Sequence, residues 1–236
     1  MILLKPNILS DAKPEDCITT NPEFVRAVIK LVKTKGAAKV LVGDSPGLPS
    51  ANFCGKNCGI YDVCIQEGAI WVNFAENAVN TKISGTNKEY PIAKELFDAD
   101  VVISLPKFKT HQLMYCTGAV KNMFGCIVGL HKSPCHLSYP SRESFASFIC
   151  KLYQTIKPSY CIMDAVLGME GPGPANGRPK AVNLVLASPS GFALDYAQAT
   201  IMGYKTSDIP ILKQAEKQGL LPQEILKRFF RFIYDI

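Results

Sequence analysis

The sequence predicts an α/β protein: a mostly parallel sheet with helices on both faces, built as a single domain. Three observations carry this. Apolar, β-branched runs alternate with segments of helical periodicity almost throughout the 236 residues, the pattern of a parallel sheet covered on both sides. Val101-Val102-Ile103-Ser104-Leu105 is a continuous apolar run, as expected of a strand buried on both faces. No repeat, low-complexity tract or linker divides the chain, and its length suits one large domain.

The elements follow in order. Ile2-Leu3-Leu4 reads as a strand that stops at Lys5-Pro6-Asn7. Pro22 suits a first helical position, and Phe24, Val25, Val28, Ile29 and Val32 mark one helical face that Gly36 ends. Val40–Val42 is a second strand, running into Asp44-Ser45-Pro46-Gly47. A helix is expected over about residues 51–66, a short strand at Ile70–Val72, and a helix from about Thr117 to Ile127. Another helix spans Ser141 to Ile156. Strands are expected at Tyr160–Met163 and Val182–Leu186, with a helix over about 192–202 between them and the C-terminal region. Two more helices follow, the last with Pro222 near its start and an apolar stripe of Ile225, Leu226, Phe229, Phe230 and Ile233. That stripe leaves an apolar C-terminal end, with the expectation that either a partner covers it or part of the chain is missing.

Composition excludes several classes. Hydrophobic residues make up 47% and charged residues 19%, which rules out a disordered chain. The apolar runs fall far short of the roughly 20 residues a bilayer span needs, and Pro6 and Asn7 interrupt any secretory leader. Nine cysteines without the density of a secreted scaffold point to reduced thiols in a cytoplasmic protein.

The net charge of +6 is local. From Val101 to Arg142 there are five basic residues and no acidic one, leaving 21 basic against 20 acidic elsewhere. All three histidines, His111, His131 and His136, lie in the same stretch. If the segment from Leu105 to His111 is extended, Lys107, Lys109 and His111 point the same way. Thr117 would cap the helix that follows, leaving its first N–H groups for an anion. Lys121 lies one turn further along, with Asn122 beside it. In an α/β sheet this is where ligands bind, beyond the carboxyl ends of the strands. A small anionic ligand bearing phosphate or carboxylate is therefore expected. A diffuse nucleic-acid surface is not, because aromatics do not interleave with these lysines apart from Phe108.

Asp44 closes the second strand, and Asp164 follows the strand Tyr160–Met163. Next comes Glu170-Gly171-Pro172-Gly173-Pro174-Ala175-Asn176-Gly177, a shaped loop. These carboxylates would hold a divalent cation or act as a base. Cys54, Cys58 and Cys64 have C-x₃-C-x₅-C spacing, which matches neither a ferredoxin run nor a zinc pair. There is no G-x-G-x-x-G, Walker loop, G-x-S-x-G or H-E-x-x-H.

The run Leu105-Pro-Lys-Phe-Lys-Thr-His111, continued by Thr117-Gly-Ala-Val-Lys-Asn-Met-Phe-Gly125, resembles the signature of domain-of-unknown-function family 362, whose members often accompany ferredoxin-type iron–sulfur modules. Lys5-Pro6-Asn7, Gly43–Gly47, Asp164, Met169–Pro174 with Gly177, Ala193-Leu194-Asp195 and Met202-Gly203 also fit that pattern, so the resemblance spans nearly the whole chain. It implies Lys107, His111, Asp44 and Glu170 as catalytic residues. Lys5, Asn7, Lys109, Thr117, Lys121 and Asn122 would bind the ligand, and Asp164, Glu170 and Asp195 would take a metal. Two departures stand out. Met1 lies almost on the first strand, where similar proteins carry a further segment, and no C-x₂-C-x₂-C run is present. Residues 1–236 are thus expected to form one domain short of that segment and of a ferredoxin-like module. An enzyme or enzyme-like domain acting on a small anion is the first functional expectation. A redox accessory module that docks a ferredoxin-like partner, or binds an iron–sulfur cluster itself, is the alternative.

Overall fold

The computed structural model describes residues 1–221. Its strands are β1 (Ile2–Pro6), β2 (Val40–Asp44), β3 (Ile70–Asn73), β4 (Ala78–Lys82), β5 (Glu89–Ala93), β6 (Val101–Leu105), β7 (Lys107–His111), β8 (Tyr115–Cys116), β9 (Tyr160–Glu170) and β10 (Arg178–Ser188). Its helices are α1 (Pro22–Thr34), α2 (Ala51–Asn57), α3 (Ile60–Gln66), α4 (Glu95–Asp98), α5 (Gly118–Asn122), α6 (Lys132–Ser138), α7 (Arg142–Ile156), α8 (Gly191–Ile201) and α9 (Pro210–Lys217).

β1 lies inside the main sheet, parallel to β2 on one side and to β6 on the other. β3 extends the first side and β9 the second, both in parallel. β10 returns antiparallel along β9 from Cys161 to Glu170. β6 and β7 must therefore follow one another along the opposite edge of β9, separated only by Pro106. Proline has no N–H to give the ladder, and between Lys107 and Lys109 the pairing with β9 slips. The prediction of a mostly parallel sheet with helices on both faces holds. Chain order reverses between β1 and β6, the position at which such sheets open a crevice.

Successive strand residues feed two layers. Leu4, Val42 and Ile103 pack with Val25, Val28, Ile29 and Val32 of α1 and with α2 and α3. Leu3, Leu41 and Val102 face the other way, against α5, α7, α9 and β5. Asn21 caps α1, its side chain accepting from the Glu23 N–H at 2.8 Å, and Pro22 takes the first helical position. Each fully buried aliphatic side chain of α1 contributes about 1.5–3 kcal/mol.

Several elements differ from expectation. The helix predicted over 51–66 breaks at Cys58-Gly59, where Gly59 has φ +80°, a conformation that only glycine adopts without strain. The helix predicted from Thr117 to Ile127 is the short α5 followed by a 3₁₀ turn at Met123–Cys126. β9 continues to Glu170, which puts Asp164 inside the strand. The β4–β5 hairpin forms a separate two-stranded sheet, with too little apolar alternation to have been read beforehand. The predicted last helix with its apolar stripe lies outside the described residues.

Candidate anion-binding site

Around the carboxyl ends of β1, β2 and β6 the fold has taken a cluster of charge out of water. Lys5 is 0% exposed, and Lys107, Lys109, Asp44 and Asp164 are each 1% exposed. Burying an ion is costly unless it is paired and hydrogen-bonded. Two of the three lysines meet that condition. Lys5 Nζ lies 2.8 Å from Asp44 Oδ1, and Lys107 Nζ lies 2.7 Å from Asp164 Oδ2.

Both carboxylates are also anchored by backbone. The Ile8 N–H donates to Asp44 Oδ2 at 2.7 Å and the Ser45 N–H to Oδ1 at 2.8 Å. The Asn21 N–H donates to Asp164 Oδ2 at 2.8 Å. Asp164 Oδ1 is shielded and has no partner among the described residues.

Asn122 ties the strands together. Its Nδ2 donates to the Lys5 carbonyl at 3.2 Å and to Ser104 Oγ at 3.0 Å, while its Oδ1 accepts from Lys5 Nζ at 3.2 Å and Asn7 Nδ2 at 3.3 Å. Asn7 Oδ1 and Thr117 Oγ1 are shielded without a hydrogen-bond partner among the described residues.

Lys109 and Lys121 are different, since no carboxylate pairs with either among the described residues. Lys109 Nζ donates to the Ile18 carbonyl at 2.6 Å. Lys121 Nζ lies 6.0 Å from the Phe124 ring centroid. Burial, then the charges of Lys121 and Lys107, holds Lys109 well below the ordinary lysine range. Burial lowers Lys121 to about 8. Lys132 is also brought to about 8 by burial, with its ammonium on the Ser45 carbonyl.

His111 accepts at Nδ1 from the N–H groups of Leu113 (3.1 Å) and Met114 (3.2 Å). Burial and the adjacent Lys121 and Lys109 lower it to about 2. A neutral ring that accepts at Nδ1 carries its proton on Nε2, so His111 is a hydrogen-bond donor at that atom.

The structure thus brings Lys5, Asn7, Asp44, Lys107, Lys109, His111, Thr117, Lys121, Asn122 and Asp164 into one neighbourhood. It does not bring Glu170 or Asp195 there. The Glu170 carboxylate is partly exposed and pairs with Arg178 at 2.9 Å and Lys180 at 3.6 Å, and Arg178 holds it below its usual value. Asp195, from α8, accepts from the Ala119 and Val120 N–H groups. It caps α5 in the role expected of Thr117, whose side chain makes no cap bond. The Ala119 and Val120 amides are therefore not free for an anion. Burial raises Asp195 to about 7 despite those two donors. The expected metal set of Asp164, Glu170 and Asp195 does not assemble: no group of three or more His, Cys, Asp or Glu residues suited to a metal ion occurs among the described residues. Cys54, Cys58 and Cys64 are buried, free thiols packed against α1.

Comparison with known proteins bears on the family and the fold. Residues 2–200 match the family described as Domain of unknown function (DUF362). The chain belongs to this family. A thylakoid-associated protein of Synechocystis sp., sll1697, is 36% identical to the DUF362 chain over 223 residues, covering 94% of this chain and 68% of that protein. The lactate racemase apoprotein of Thermoanaerobacterium thermosaccharolyticum shares the fold, with a TM-score of 0.52 at 10% identity over 88% of this chain. The DUF362 chain spans about half of that structure, 49% of its length. Among the described residues no helix is long and apolar enough to cross a membrane.

Sequence reasoning missed two contributors to this DUF362 cluster and the reason for a third. Ser104 was read only as part of an apolar run. Lys132 was counted with the basic stretch but not placed. Gly125 ends the quoted motif, and its reason is steric: a Cβ there would come within 2.4 Å of Asp44 Oδ1 and 2.7 Å of Lys5 Nζ.

Proposed function

We propose that this protein binds a small anionic molecule, bearing phosphate or carboxylate, in the crevice beyond β1, β6 and β7, and acts on it as an enzyme. The observation that carries this reading is the pair of lysines, Lys109 and Lys121, that have no carboxylate partner among the described residues, beside two buried ion pairs. A buried lysine without counter-charge resists protonation, and a ligand that brings negative charge both restores its proton and offsets its burial cost. Asn7 and Asn122 orient the ligand, and His111 donates from Nε2 as a neutral electrophilic group. Asp44 has both oxygens engaged, whereas Asp164 retains an unpartnered Oδ1, so Asp164 replaces Asp44 and Glu170 as the candidate base. The free thiols support a reducing, cytoplasmic environment.

The test is calorimetric titration of the protein with sulfate, inorganic phosphate and citrate, repeated on Lys109→Met and Lys121→Gln. Saturable binding that each substitution weakens supports the proposal. Anion binding that neither substitution changes, or none at all, removes it.

A further inference from the structure

A second candidate site lies on other residues, at the free edge of the main sheet. β3 pairs with β2 along one edge only. On its other edge the backbone of Ile70, Trp71 and Val72 has no hydrogen-bond partner among the described residues. A groove of about 510 Å³ runs beside that edge. Trp71 and Tyr61 meet edge to face there, with ring centroids 6.1 Å apart. The indole N–H donates to Asn52 Oδ1 at 2.8 Å, which fixes the ring.

The groove also holds carboxylates. Glu76 Oε1 accepts from Asn73 Nδ2 at 3.0 Å. Glu95 Oε1 accepts from Asn77 Nδ2 at 3.3 Å, and its Oε2 is shielded with no donor among the described residues. The lysine of the groove, Lys56, has its ammonium 5.2 Å from the Tyr61 ring centroid, and no ion pair to Glu95 is found among the described residues. A carboxylate that lines a groove and has no paired cation among the described residues favours a cationic donor. An unpaired strand edge offers main-chain hydrogen bonds to a second extended chain.

We propose that this groove receives an extended peptide segment that adds to β3 and presents an arginine or lysine to Glu95, beside the face of Trp71. Main-chain pairing supplies affinity and the Glu95–Trp71 pair supplies selection, with a cation–π contribution from the indole.

Trp71 is the one tryptophan of the chain, so its fluorescence reports on this groove alone. The probe is a blocked pentapeptide, Thr-Val-Arg-Val-Thr, titrated against wild type and Glu95→Gln. Blocked arginine amide and the same pentapeptide with norleucine in place of arginine serve as controls. Melting temperature establishes that the variant is folded, and Glu95→Asp takes its place if it is not. The expected result is a saturable Trp71 shift. Affinity should fall by about tenfold or more for the norleucine peptide, for arginine amide alone and for the Glu95 variant. Absence of a saturable shift overturns the proposal, as does an equal response with norleucine or in the variant. Equal affinity for arginine amide overturns strand addition. Because none of these residues belongs to the anion crevice, the outcome is independent of the reading given for that site.

Discussion

A lysine inside a protein stays charged at a cost that only a partner offsets, and here partners are unevenly distributed. Lys5 and Lys107 have carboxylates, while Lys109 and Lys121 have none among the described residues. Replacing Lys121 by Gln removes a charge-assisted contact worth about 1.5–3 kcal/mol, so sulfate affinity at pH 7 should fall by about tenfold or more in calorimetry. Sulfate does not titrate in this range. Its affinity for the wild type should therefore decline as pH rises through about 8, where Lys121 and Lys132 lose their protons. The decline should be smaller in Lys121→Gln.

The same shift fixes a sign for stability. The folded value of Lys121 is below the unfolded 10.5, so the burial cost is fully present below about pH 8 and is relieved as pH rises toward 10.5. Lys121→Met should thus be more stable than wild type in urea at pH 7, by a margin that shrinks toward pH 10.5. Gly125→Ala would push a methyl group into the Lys5–Asp44 pair and should cost about 1–3 kcal/mol in the same measurement. The lysines and Gly125 were visible in the sequence as a motif. The ion pairs were not, because Lys5 and Asp44 are 39 positions apart and only parallel pairing puts them side by side.

At the scale of elements, local signals held where they had no rival. Pro22 and the apolar face of α1 were readable because capping and periodicity are properties of neighbours in the chain. α5 was misread for the opposite reason. Thr117 precedes it and has the chemistry of a cap, yet Asp195 arrives from α8 and takes the Ala119 and Val120 amides. Gly118, with φ +62°, makes room, since a Cβ there would lie 2.4 Å from the Asp195 carboxylate. Asp195→Ala should lose the cap and about 1–2 kcal/mol of stability, measured by urea unfolding, with the lost amide partners loosening the helix that carries Lys121. The overrun of β9 past Met163 has a similar cause: β10 pairs with it as far as Glu170, and a tertiary partner lengthens a strand beyond its own apolar run.

For the whole molecule, the alternation of strands and helices was enough to predict the sheet and its two covering layers. The charge-free-of-acids stretch was enough to locate the basic side of the crevice. What the sequence could not show was the excess left after pairing, since that depends on which carboxylates fold toward the lysines and which, like Glu170, stay outside. The same burial has a consequence for the nine thiols, all of them enclosed. Desolvation raises Cys54 and Cys58 to about 11 and Cys64 and Cys126 to about 12. Alkylation proceeds through the thiolate, so the closed protein should be almost inert to iodoacetamide at pH 7.5, and each adduct would mark an opening event. Cys116 and Cys126 flank the crevice lysines in charge reach, whereas Cys54, Cys58 and Cys64 lie under α1. Mass-resolved labelling would then time the opening of the two layers separately, with the cysteines serving as nine internal clocks of how the protein breathes.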